Sequence, residues 1–175
     1  MQDQDEETRR LEKLGEIMQF YRAEARRCRR SKAFLAGCIM VAAALEAALV
    51  NMVECYPEEA RSCAKAPRGN KAFTQWSLAE LLDVAKCVGW LPARLIPRHD
   101  EFDSEKALVG DYAEVVREIR NLVHAGRYVT DYRDIDVTNE HLALSFDVLD
   151  GVLDHLLARL GDSLRSAVER AESPS

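Results

Sequence analysis

Side chains that can hold and transform a phosphate group cluster in one short stretch of this chain, between Asp111 and Tyr128. The stretch reads DYAEVVREIRNLVHAGRY, and its polar members include Arg117, Arg120, Asn121 and His124. An α-helix advances about 100° per residue, so side chains three, four and seven positions apart project from one side. Arginine offers a fixed fork of donors to phosphate oxygens, and histidine transfers protons near neutral pH. The spacing predicts a helix with one basic face suited to binding phosphate.

A plainer interpretation fits the same residues. His124 shortly precedes Gly126, and a glycine with a nearby cation is a common end for a helix. The two arginines also lie within reach of Glu114 and Glu118, with which they can pair on a solvated surface. The two interpretations agree on the helix and differ on whether its basic face binds a ligand.

The composition indicates a single soluble helical domain. The chain has 175 residues, of which 47% are hydrophobic and 31% are charged, and its 8 glycines and 5 prolines are few for a turn-rich β architecture. We expect one domain over 1–175, with a core at about 9–160 and a short helical extension and frayed tail at 161–175. The acidic, polar start, MQDQDEETRR, is unlike a targeting signal and favours a cytoplasmic protein.

Neither the cysteines nor the histidines have metal-binding spacing. The five cysteines (Cys28, Cys38, Cys55, Cys63 and Cys87) form no CxxC pair, and the four histidines form no HExxH pattern. We therefore expect reduced intracellular thiols, most of them packed as small hydrophobic side chains, with no metal and no cofactor.

Charge is distributed unevenly in a chain whose net charge is −6. Between Tyr21 and Lys32 a single acid, Glu24, stands among six cations: Arg22, Arg26, Arg27, Arg29, Arg30 and Lys32. Such a run is typical of a solvated helix face, and it also suits a site for one nucleic-acid segment or phosphate.

Hydrophobic periodicity predicts four main helices and a shorter one, which pack most simply as an up-and-down four-helix bundle of the all-α class. The predicted helices are Asp5–Arg30, Ala33–Tyr56, Ser77–Gly89, the motif helix begun by Ser104, and Thr138–Gly161 with its extension. Ser77 with Glu80 forms a capping-box pattern, and Gly89 is the expected terminator. Pro57 ends the second helix and begins a loop that continues to about Gln75.

The second predicted helix, Ala33–Tyr56, is apolar on nearly every side and long enough to span a bilayer. Glu46 lies near its middle, and the other predicted helices are amphipathic and need a surface to pack on. We therefore expect this helix at the centre of the bundle, with no membrane contact.

The motif segment, Asp111–Tyr128, resembles the signature of the HEPN superfamily of small helical-bundle proteins found in bacterial toxin–antitoxin and defence systems. Their motif is an arginine, commonly followed by asparagine, then four to six residues and a histidine. The Arg120-Asn121 pair matches, but three residues separate Arg120 from His124, whereas six separate Arg117 from His124. The resemblance extends over roughly 11–160, through LEAAL at Leu45–Leu49 and WSLAELLDVAKCVGWLP at Trp76–Pro92.

The resemblance implies a HEPN-like, metal-independent endoribonuclease of a toxin–antitoxin or defence system, whose composite active site forms where two protomers meet. His124 would be the acid/base, Arg117 or Arg120 would stabilise charge on the phosphorane, and Asn121 would orient the histidine or phosphate. Glu46 is a candidate partner for a motif arginine, since a carboxylate on a buried helix needs a cation, although it can also face a solvated gap. Arg127 and Tyr128 can contact a base or simply pack the helix exit.

Two other functions fit the sequence. The first is a non-catalytic HEPN module that binds nucleotide or RNA, or docks a partner such as a nucleotidyltransferase-type antitoxin. The second is a helical assembly protein whose motif only fixes dimer geometry through arginine–carboxylate contacts.

Overall fold

The computed structural model describes residues 2–91, 113, 116, 117, 120 and 136–172. The helices are α1 (Gln2–Arg30), α2 (Phe34–Cys55), α3 (Pro57–Ser62), a short 3-10 turn (Phe73–Gln75), α4 (Leu78–Cys87) and α5 (Asn139–Glu172). No strand occurs among these residues, so the prediction of an all-α protein is confirmed over the described part of the chain.

The apolar helix α2 is the centre on which α1, α4 and α5 pack. Its buried side chains include Val41, Leu45, Leu49 and Val53, which are 1% exposed or less. Gly37 allows α5 to pack close to α2, because a Cβ at this position would lie 2.6 Å from Leu142 Cδ2 on α5. By length and composition α2 would also pass as a membrane-spanning helix, but 56% of its apolar window is buried inside the structure.

Helix α4 has the ends predicted from its sequence. The Ser77 hydroxyl accepts a hydrogen bond from the Glu80 backbone N–H at 3.3 Å, and the Glu80 carboxylate accepts one from the Ser77 backbone N–H at 2.6 Å. This reciprocal capping box satisfies donors that a helix start leaves unpaired. Gly89, just after the helix, has φ of +75°, a conformation that glycine adopts without a steric cost.

The segment predicted as a loop after Pro57 begins with a helix, and the last helix does not end where predicted. Pro57 does end α2, but it also begins α3 (Pro57–Ser62), because proline lacks only an N–H that the first turn of a helix does not use. Gly161 does not end the last helix, which continues from Asn139 to Glu172 without a break. The predicted extension after 161 is thus part of α5, and 173–175 lie outside the described residues.

The prediction that the cysteines are reduced is wrong for one pair. Cys63, after α3, and Cys87, at the end of α4, form a disulfide whose Cα atoms are 6.4 Å apart. The disulfide joins residues 24 positions apart, so no short-range cysteine spacing in the sequence predicts it. Cys28, Cys38 and Cys55 take no part in a disulfide. Burial raises the pKa of the Cys38 thiol, which favours its protonated form.

Candidate functional site

The motif segment is helical at each of its described positions, Ala113, Val116, Arg117 and Arg120. Ala113 is 0% exposed and Val116 is 1% exposed, so these two side chains belong to the hydrophobic core. Arg117 and Arg120 are half-buried. The segment therefore docks on the core through its small apolar side chains and carries its arginines at the edge of the contact, as its periodicity predicts.

Arg120 contacts α2 through an ion pair with Glu46. The distance from Arg120 Nη2 to Glu46 Oε2 is 3.1 Å, and the two side chains are 38% and 30% exposed. This is the kind of contact that the sequence analysis expected between Glu46 and a motif arginine. It is an ionic contact rather than a directed hydrogen bond, because the geometry leaves Glu46 Oε2 without a hydrogen-bond donor.

The position of Glu46 explains why such a contact is needed. Its side chain is only 30% exposed, and it projects from a helix with twelve buried residues. A carboxylate in apolar surroundings that keeps its charge requires a nearby cation, and a guanidinium meets that requirement without a risk of deprotonation. The ion pair therefore stabilises the carboxylate and attaches the motif segment to the central helix at the same time.

The structure brings together two of the seven predicted site residues, Glu46 and Arg120, and places Arg117 one helical turn away from Arg120. The predicted roles of Asn121, His124, Arg127 and Tyr128 fall outside the described residues. The described site residues are two permanent cations, Arg117 and Arg120, and one carboxylate, Glu46, all half-buried. Their chemistry is electrostatic.

The residues that the structure describes form no candidate metal site. No group of three or more histidine, cysteine, aspartate or glutamate side chains among them is positioned to hold an ion.

A groove between α1 and α5, which the sequence does not predict, is a further feature of the described structure. Its polar rim is formed by Arg22 and Asp150, which make an ion pair, together with Gln19 and Asp154. No pattern in the sequence locates this groove, because the groove depends on how far apart α1 and α5 lie.

Comparison with known proteins adds no family assignment: no protein-family model, no curated protein and no solved structure matches this chain. Its function must therefore be argued from its own residues.

Proposed function

We propose that this chain is a HEPN-like endoribonuclease that cleaves RNA without a metal ion, at a composite site formed by the motif segments of two protomers. The observation that carries the proposal is the Glu46–Arg120 ion pair, 3.1 Å long, which fixes the motif segment to the central helix. Catalytic electrostatics require groups held in place before the reaction, and this attachment supplies that rigidity. The proposed setting, a toxin–antitoxin or defence system, rests on the sequence resemblance.

The ion pair also suggests how the two arginines divide the work. Arg120 pairs with Glu46, and this contact attaches the motif segment to α2. Six residues separate Arg117 from His124, which is the spacing of the family motif. We therefore assign charge stabilisation on the phosphorane to Arg117 and positioning of the motif segment to Arg120.

The proposed reaction needs no group beyond RNA and these side chains. The ribose 2′-oxygen attacks the adjacent phosphorus while a base takes its proton, and the bond from phosphorus to the 5′-oxygen breaks. The leaving oxygen receives a proton, which gives a cyclic phosphate and a free 5′-hydroxyl. His124 would exchange these protons, and Asn121 would orient the histidine or the phosphate. Arg127 and Tyr128 would contact the neighbouring base.

The proposed architecture is an up-and-down four-helix bundle with an additional short helix. Helices α1, α2 and α5 and the helix of the motif segment would be its four members, and α4 would be the short addition. Two such bundles would pair as a homodimer with their motif segments facing each other. This pairing would bring the arginines and histidines of both copies to one cleft.

A second candidate is a non-catalytic HEPN module, and the same ion pair gives it some support. The Glu46 carboxylate reduces the positive charge that the motif segment offers to an RNA phosphate, which suits a role in docking a protein such as an antitoxin. Cleavage activity separates the two candidates.

The experiment is cleavage of mixed RNA by the purified parent in EDTA, with His124→Ala purified identically as its control. We expect the parent alone to cleave and to leave cyclic-phosphate ends. If neither protein cleaves, and both are shown to be folded dimers, the nuclease proposal fails for that RNA and the docking module takes its place.

A further inference from the structure

A groove runs between α1 and α5 on the surface of α2. Both helices pack on α2, and the space left between them is an open cavity of about 340 Å³. That volume lies within the range of small-molecule sites in proteins. Its floor comes from α2 through Ala48, Asn51 and Met52.

The interior of the groove is apolar. Apolar side chains from all three helices line it: Met18, Ala48, Met52, Leu153, Leu156, Leu157 and Leu160. Leu157 stands at its mouth and is 63% exposed, one of two large hydrophobic side chains with such exposure among the described residues. Covering this surface with an apolar body would remove it from water, which is favourable in proportion to the area covered.

The rim of the groove carries a surplus of negative charge. Arg22 pairs with Asp150, so these two charges largely cancel. The Asn51 amide donates to the Leu11 carbonyl and accepts from the Cys55 thiol. Asp154 is exposed and has no ion-pair partner in the described part of the chain. The polar group that the groove leaves for a ligand is therefore chiefly a carboxylate.

We propose that this groove binds an apolar amine, with its hydrocarbon body on the methionines and leucines and its ammonium group beside Asp154. An ammonium donates hydrogen bonds and carries the charge that the rim lacks, whereas a carboxylate head would meet repulsion from Asp150 and Asp154. The groove is on a different side of α2 from Glu46, the residue that pairs with Arg120. Glu46 precedes Ala48 by two positions, so the two side chains leave α2 on nearly opposite sides. The inference does not rest on the proposed nuclease activity.

The test uses the full chain and the uncharged fluorescent probe N-phenyl-naphthylamine, displaced by octylamine, octanol or octanoate below their micelle-forming concentrations. We expect octylamine to displace the probe at a concentration at least tenfold lower than octanoate. Asp154→Asn should weaken the binding of octylamine by about three- to fivefold, as is typical of an exposed ionic contact. The same substitution should leave the binding of octanol unchanged. Asp83→Asn removes an exposed carboxylate on α4, which contributes no residue to the groove lining, and should leave the displacement by all three ligands unchanged.

A blocking variant tests the location. Gln19 is an exposed groove-lining residue on α1, so Gln19→Trp should fill the mouth and abolish probe binding without disturbing the core. Ala36→Trp places the same side chain at an exposed position of α2 outside the groove. This variant should bind the probe as tightly as the parent does. Absence of probe binding to the parent, or unchanged binding to Gln19→Trp, would overturn the site. Equal displacement by octylamine and octanoate would overturn its assignment to amines.

Discussion

Glu46 on the apolar central helix and Arg120 on the motif segment form an ion pair with 3.1 Å between carboxylate and guanidinium. This contact makes the packing of α2 and the placement of the candidate site depend on each other. Moving Arg120 away would leave a half-buried carboxylate without its cation, and removing Glu46 would loosen one of the contacts that hold the motif segment on α2.

A double-mutant cycle on this pair should reveal the coupling. Glu46→Gln and Arg120→Ala should each destabilise the fold, and the double variant should lose less than the two losses added together. Since both side chains are partly exposed, we expect a coupling of about 0.5–1 kcal/mol from urea unfolding. Asp83→Asn combined with Arg120→Ala is the control and should be additive. Additive losses for Glu46 and Arg120 would mean that their contact does not stabilise the protein.

Gly37 should not tolerate a methyl group, although alanine is the better helix former. A Cβ there would lie 2.6 Å from Leu142 Cδ2 and 3.3 Å from Cys28 Cβ, and Leu142 is fully buried, with little room to retreat. Overpacking of this kind costs about 1–3 kcal/mol, so Gly37→Ala should lower the free energy of unfolding. Gly15→Ala on α1 meets no atom within 4 Å and should raise it by about 0.5–1 kcal/mol. Two variants of equal stability would contradict the close approach of α2 and α5.

Acid should weaken the start of α4. The Lys71 ammonium, followed by the Ser77 backbone N–H, holds the pKa of Glu80 below its ordinary value. A carboxylate with a lowered folded pKa adds stability that is present above its ordinary pKa of about 4.3 and disappears as pH falls through the folded value. Glu80→Gln should therefore be less stable than the parent at pH 7. The difference between their free energies of unfolding, measured with urea, should disappear below about pH 4. If this stability difference did not change with pH, the folded protein would not favour the ionised form of Glu80.

The disulfide should contribute measurably to stability. It closes a loop between residues 24 positions apart, and loop entropy of that size corresponds to about 3 kcal/mol. Reductant should therefore lower the Tm of the parent and leave that of the Cys63→Ser, Cys87→Ser double variant unchanged. Cys28→Ser, which removes a free thiol, should keep the parent's response to reductant. Insensitivity of the parent to reductant would contradict the pairing.

Local sequence signals predicted those features that depend on neighbouring residues. The capping box of Ser77 and Glu80 and the terminator Gly89 follow from spacing alone, because each acts within one helical turn. The Glu46 contact could be expected from burial, since a carboxylate on an apolar helix needs a cation.

Features that depend on distance between helices could not be predicted in the same way. Pro57 is compatible with both the end of one helix and the start of the next, and only tertiary packing decides between them. Cys63 and Cys87 pair because the chain returns to within 6.4 Å between Cα atoms, which no spacing encodes. The groove beside Asp154 exists because α1 and α5 lie apart on α2.

The most direct test of the central proposal is the rate of RNA cleavage in EDTA by Arg117→Ala and Arg120→Ala beside the parent. We expect Arg117→Ala, assayed at a temperature at which it is folded, to slow the appearance of cyclic-phosphate ends by about 100- to 1,000-fold, as for the loss of one preorganised donor. Arg120→Ala should lose less activity and should lower the Tm, because it loosens the attachment to Glu46. A parent that produces no cyclic-phosphate ends, or an Arg117→Ala variant as active as the parent, would contradict the proposal.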